Sequence, residues 1–177
     1  NTITILLDKS FSLNYIEKVI GLYKPNIVFS PLNLSFSKLK ILSFFNLQNY
    51  KILNTNFNLR KNYNFSNFLL LSTSGTTESP KFVRLSKKNI EDNTIKIIKY
   101  LNIKKNQTTI TTMPAGYSYG LSILNSHLKV RSKIVLNNNS IIEKSFWEKI
   151  KKYKVNSFGG VPEFYEFLRK LNFKKYV

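Results

Sequence analysis

The stretch Phe68-Leu69-Leu70-Leu71-Ser72-Thr73-Ser74-Gly75-Thr76-Thr77-Glu78-Ser79-Pro80-Lys81 runs from a continuous apolar segment into a turn rich in hydroxyls. Phe68 to Ser72 shows no polar alternation, the pattern of a strand buried on both faces. Thr73 to Lys81 then sets serine and threonine hydroxyls, one glycine and a lysine at the carboxyl end of that strand. In a tight turn, backbone N–H groups and hydroxyls can surround phosphate oxygens while a lysine supplies positive charge. The Walker A spacing G-x-x-x-x-G-K-[ST] is absent, so this is not that kind of phosphate loop. On composition alone, a polar Ser/Thr turn on the surface accounts for the same residues equally well.

Strand and helix patterns alternate on either side. Thr2 to Leu7 reads as a strand. Ser12 to Tyr23 reads as an amphipathic helix with Leu13, Ile16, Val19 and Ile20 on one face and Ser12 as its N-cap. Pro25 stops that helix, and Asn26 to Phe29 suits a short strand. Ser35 to Asn67 is rich in Asn, Ser and Phe, has weak periodicity, and carries no assignment. Ser86 caps a helix to about Leu101, with Ile90, Thr94, Ile97, Ile98 and Leu101 at helical spacing. Strands follow over Gln107 to Met113, Lys133 to Leu136 and Val155 to Phe158, separated by helices over Gly120 to Leu128 and Ser145 to Tyr153. Pro162 opens a last helix through Leu171 at the favoured first-turn position. This order predicts an α/β fold with a mostly parallel sheet flanked by helices and right-handed crossovers. Ligands of such sheets lie beyond the carboxyl ends of the strands, where Thr73 to Lys81, Pro114 to Gly120 and Gly159 to Pro162 fall.

Composition narrows the chemistry. A length of 177 residues suits one domain or a piece of a larger one, and 42% hydrophobic residues are enough for a core. The absence of Cys excludes disulfides, zinc–thiolate sites and thiol nucleophiles, and a single histidine, His127, leaves a multi-histidine metal site without ligands. Two aspartates, Asp8 and Asp92, and no G-x-S-x-G elbow speak against a Ser-His-Asp hydrolase. The net charge of +19 invites a nucleic-acid reading. Lysine, however, makes up 24 of the 28 basic residues, whereas arginine is preferred for bidentate phosphate and base recognition. The lysines are dispersed, with Lys149, Lys151, Lys152 and Lys154 as the densest group, which reads as a solvated face. No apolar run reaches the roughly 20 residues of a membrane span, and no signal peptide is seen. The expectation is a soluble, cytoplasmic protein whose start, at Asn1, is clipped.

Ser72 to Val83 resembles the Ser/Thr-rich S-G-T-T-G-x-P-K phosphate loop of the adenylate-forming (AMP-binding) synthetases and ligases, acyl-CoA synthetases among them, with the Ser86 helix following as in that family. Met113-Pro114 to Gly120-Leu121 is similar to the family's P-x-x-H-x-x-G-L segment, and Gly160-Val161-Pro162 to its V-P-x-x-x-x-x-L element. Leu6 to Phe29 is similar to the strand, helix and K-P-x-x-V region that precedes the phosphate loop. The motifs stand in the family's order and cover nearly the whole chain.

The resemblance implies that a carboxylate attacks the α-phosphate of Mg-ATP to give an acyl-adenylate and pyrophosphate. A thiol on CoA or a phosphopantetheine carrier then takes the acyl group. It places ATP phosphates at Thr73, Ser74, Gly75, Thr76, Thr77, Ser79 and Lys81, and the acyl pocket at Tyr117, Gly160, Val161 and Pro162. No protein nucleophile is needed, so the cofactors are ATP and Mg2+, and the partners are a small carboxylic acid, CoA and, for some members, an acyl or peptidyl carrier protein. Pro114 to Gly120 holds no acid to pair with an ammonium group, so an acyl or aryl acid fits better than an amino acid. Residues 1–177 then form a partial N-terminal AMP-binding domain; the adenine and ribose motifs and the mobile lysine-bearing domain would follow Val177, and alone the chain is expected to be inactive. One departure stands out: Glu78 occupies a family glycine position. Where the turn needs φ > 0, that costs roughly 1–2 kcal/mol, and a carboxylate about 6 Å from a phosphate opposes it by about 2–3 kcal/mol at a dielectric of about 20. His127 reads as a packed or surface histidine rather than a catalytic one, and Phe146 and Trp147 as core packing. Two other classes remain: a basic nucleic-acid-binding module, and a catalytically inactive remnant or scaffold of the same fold.

Overall fold

The computed structural model describes residues 2–8, 10–37, 39–57, 67–72 and 80–170. β1 (Thr4–Leu6) leads into α1 (Leu13–Tyr23), which starts where Ser12 Oγ accepts from the Tyr15 N–H at 3.2 Å. It ends where Lys24 turns left-handed at φ 47° and donates to the Ile20 carbonyl, just before Pro25. β2 (Ile27–Pro31) can finish on a proline because it is an edge strand.

Much of the unassigned Ser35 to Asn67 region proves to be a hairpin, β3 (Ile41–Leu47) and β4 (Tyr50–Thr55), turning at Gln48 with φ 53°. Every residue of β3 is exposed, so neither face shows the alternation that marks a half-buried strand. Gln48-Asn49 also lacks the glycine of a typical hairpin signal.

β5 (Asn67–Ser72) is followed by β6 (Phe82–Ser86), an edge strand over residues that the sequence reading left without an element before the Ser86 cap. That helix, α2 (Lys87–Leu101), has the expected Ser86 cap as a full capping box with Asn89. Then come β7 (Thr108–Ile110), α3 (Ser118–Lys129), β8 (Lys133–Val135), α4 (Lys144–Lys152), β9 (Ser157–Phe158) and α5 (Pro162–Lys170).

The α/β class holds, but the single, mostly parallel sheet does not. The strands form three three-stranded sheets, β1-β5-β6, β2-β4-β3 and β8-β7-β9. Only the last is wholly parallel; β6 runs antiparallel to β5, and the second sheet is entirely antiparallel. Connections as short as Gln48-Asn49 can only return a strand antiparallel; a parallel return needs a crossover.

In β8-β7-β9 the chain moves from β7 to one neighbour and then back past it to the other. Right-handed crossovers therefore put α3 and α4 on opposite faces. On the α4 side Ile110 is fully buried among Phe146, Trp147, Ile150 and Leu168, with Val135, Val155, Phe158 and Phe164 around them. α3 buries Ile123, Ser126 and His127, packs against β8, and turns Leu121 and Asn125 toward α2 and β1-β5. A second core, Ile20, Leu39 and Leu53, joins α1 to the antiparallel sheet. The other face of that sheet exposes Phe29 stacked on Tyr50 at 4.9 Å.

Candidate functional site

The reversal of direction at β7 makes its carboxyl end, between β7 and β9, a topological switch point, the crevice where open α/β sheets bind ligands. Two of the segments singled out in the sequence, 114–120 and 159–162, follow β7 and β9 there. Main-chain pairing stops at Ile110 opposite Phe158. Beyond it, Thr112 Oγ1 donates to the Gly159 carbonyl, and Tyr119 Oη donates to the Gly160 carbonyl at 3.4 Å. Thr111 works on the other side of β7: its hydroxyl accepts from the Asn137 N–H at 2.8 Å and so holds the exit of β8. The exit of β1 joins the same end, because Gly116 packs against the Asp8 backbone, where a Cβ would lie 3.3 Å from Asp8 N.

Tyr117 stands at the N-cap of α3 with an extended backbone (φ −101°, ψ 146°), half-buried, and supplies no side-chain cap. Its N–H donates to the Pro114 carbonyl at 3.2 Å and its carbonyl accepts from Leu121. Gly160 and Val161 are half-buried, and Pro162 opens α5 as the sequence suggests, with the Val161 carbonyl accepting from Phe164 N–H at 2.9 Å. Two small clefts of about 180 and 210 Å³ lie between β1-β5-β6 and the α2–α3 pair, sharing Ile90, Leu121 and Asn125. Neither is lined by Tyr117, Gly160, Val161 or Pro162.

Of the proposed phosphate-binding residues, Thr73, Ser74, Gly75, Thr76, Thr77 and Ser79 lie outside the described residues, as does Glu78. What is described is their frame. Ser72 and Phe82 are paired across β5 and β6, so both ends of the loop are anchored at the carboxyl end of β5. Lys81 is exposed directly before β6. Among the described residues the hydroxyl of Ser72, buried at the base of the loop, has no hydrogen-bond partner. Among the described residues no group of three or more His, Cys, Asp or Glu side chains could hold a metal ion.

Sequence reasoning missed Thr111, Thr112 and Tyr119, whose only local sign is a pair of threonines at a strand exit. It also missed the polar network behind them. Lys149 Nζ, assigned to a solvated group, is half-buried and donates to Asn137 Oδ1 at 3.0 Å and to Asn139 Oδ1. Asn139 Nδ2 and the Ser140 N–H donate to Glu143, and these bonds, Asn139 first, hold its carboxyl below the usual carboxylate value. His127 is buried, the packed one of the two settings the sequence allows. Its Nδ1 lies 2.8 Å from the Ile123 carbonyl and so donates to it, while Nε2 has no partner among the described residues. Phe146 and Trp147 are core residues, with the Trp147 N–H donating to the Ile141 carbonyl at 2.8 Å. No described helix is long and apolar enough to cross a membrane.

The chain is 33% identical over 95 residues to an oxalate–CoA ligase of Saccharomyces cerevisiae, a match covering 53% of this chain and 17% of that protein. In fold it is similar to the N-terminal domain of FACL13 from Mycobacterium tuberculosis (TM-score 0.52, 16% identity, 64% of this chain and 28% of the other). It is also similar to o-succinylbenzoate CoA synthetase from Bacillus subtilis solved with its acyl-adenylate intermediate (TM-score 0.51, 23% identity, 59% of this chain and 27% of the other). The chain thus spans well under a third of the length of these relatives. The AMP-binding enzyme family matches residues 15–177, nearly the whole sequence, and this chain belongs to that family.

Proposed function

We propose that the protein activates a carboxylic acid with ATP, forming an acyl-adenylate and pyrophosphate, and passes the acyl group to the thiol of CoA or of a phosphopantetheine carrier. Residues 1–177 supply part of its N-terminal domain. Family membership over residues 15–177 is the observation that carries this reading. The chemistry asks for positioning and charge rather than a protein nucleophile. In this reading the loop 73–79, with Ser72 at its base and Lys81 at its end, holds the triphosphate, whose own oxygens bring Mg2+ with them. The crevice between 113–120 and 159–162 holds the acid, with Tyr117, Gly160, Val161 and Pro162 as its walls. No acidic side chain lies in 113–120, which favours an acyl or aryl acid, and the yeast relative's name makes oxalate the first acid to try.

Lys81→Ala in the full-length protein tests the reading. Pyrophosphate release with ATP, Mg2+ and an acid should fall about tenfold or more, the size of one charge-assisted phosphate contact. An unchanged rate removes Lys81 from the nucleotide site. No acid-dependent release from the wild type with any acid removes the function.

A further inference from the structure

We propose that Thr112 is a positioning residue for the carboxylic-acid site, fixing the 113–120 segment against Gly159 to Pro162; this rests on the function proposed above. The ladder between β7 and β9 ends at Ile110 and Phe158, so no main-chain bond ties the two crevice walls together. Thr112 takes over at that point through its bond to the Gly159 carbonyl, and Tyr119 adds a longer one to the Gly160 carbonyl. Both bonds end on consecutive glycines, residues whose backbone is the least restrained by its own side chain. Without an anchor, the Gly159-Gly160 peptide is free to turn its carbonyl into the crevice and carry Val161 and Pro162 with it.

The packing supports a single setting of these glycines. The space a side chain at Gly159 would need is filled by Tyr119 Oη at 2.8 Å and Ile123 Cδ1 at 2.9 Å. At Gly160 the same space is filled by the Phe164 ring, at 2.7 Å. α3 and α5 therefore pack closely on the Cα atoms of both glycines, while the Gly159 carbonyl itself is met by Thr112. Its hydroxyl sets the last free parameter, the gap between the exit of β7 and that of β9. Thr111 points to the other neighbour, Asn137, so the two consecutive threonines divide the clamp between β8 and β9.

Two variants of the full-length protein separate this role from a general packing role. Thr112→Val keeps the shape and removes the hydroxyl, and Thr112→Ser keeps the hydroxyl. Pyrophosphate release is measured with ATP, Mg2+ and each of oxalate, octanoate and benzoate, and amide hydrogen exchange is followed at Phe164 and Tyr165, whose N–H groups donate to the Val161 carbonyl. Thr112→Val should raise KM for the acid used about fivefold or more while KM for ATP stays within about twofold, and Thr112→Ser should restore the wild-type value. Protection at Phe164 and Tyr165 should drop in the valine variant alone. Unchanged protection overturns the clasp whatever the enzyme turns over. Lost protection with an unchanged KM for the acid overturns the positioning role. A wild type that uses none of the acids overturns the proposed function, and the role falls with it, while the exchange result still decides the clasp. If Thr112→Val does not fold, Thr112→Ala and Thr112→Ser are compared instead; equal KM values for the acid in these two variants then overturn the assignment, since only the serine keeps the hydroxyl.

Discussion

Gly120 lies so close to the Pro114 main chain that a Cβ added to it would sit 2.1 Å from the Pro114 carbonyl oxygen and 2.7 Å from that of Met113. The segment 113–117 folds back over the first turn of α3, and only a residue without a side chain lets the backbones approach. Gly120→Ala should therefore destabilise the full-length protein by at least about 1–3 kcal/mol, since backbone rather than a flexible side chain must move. Gly21 is the control: it lies inside α1 with nothing within 4 Å of an added Cβ. Gly21→Ala should stabilise by about 0.5–1 kcal/mol. Thermal midpoints of the two variants should move in opposite directions; a shared direction refutes the steric account.

Tyr117 occupies an N-cap position without capping α3. Tyr117→Ser supplies the missing acceptor, worth about 0.5–2 kcal/mol, and removes an aromatic wall from the proposed acid pocket. The expected result is an unchanged or raised melting temperature together with altered preference among acids. A lower melting temperature with the original preference would mean that the ring serves the core instead.

Glu78 sets the sequence apart from the family's phosphate-loop pattern. If its carboxylate faces the phosphates, Glu78→Gly should tighten ATP binding by about tenfold, and added salt should narrow the difference if charge rather than strain is the cause. Calorimetric titration of both variants at two ionic strengths measures this. Equal affinities at low salt mean that the side chain points away from the nucleotide.

Glu143 has its carboxyl held below the ordinary 4.5 by Asn139, the Ser140 N–H, Ser145 and Lys149. A carboxylate with a lowered folded-state pKa adds stability that is complete above its unfolded value and is lost as pH falls through the folded one. Glu143→Gln should thus lower the thermal midpoint at about pH 6, and the gap to the wild type should close below about pH 4. A gap that persists in acid assigns the effect to shape rather than charge.

Helix ends and strongly periodic segments were legible because their signals are local. Ser12 and Ser86 announce α1 and α2 by a hydroxyl placed three residues before the N–H it caps, and Pro162 announces α5 by its fixed φ. The loop after β5 and the family it belongs to were equally readable, since Ser-Gly-Thr-Thr and Pro-Lys stand next to one another in the chain. The β3–β4 hairpin was not, because an exposed strand buries neither face and leaves no period to detect. Nor was β6, whose status as a strand depends on Phe82 meeting Ser72 across the sheet. The site shows the same division. Tyr117, Gly160, Val161 and Pro162 could be named from motifs, but the bond that brings their segments together joins Thr112 to Gly159, 47 residues apart. Which residues face one another over that separation depends on β7 lying between β8 and β9. Strand order is set by the packing of α3, α4 and α5 on the two faces of the sheet, and no local pattern of side chains encodes it.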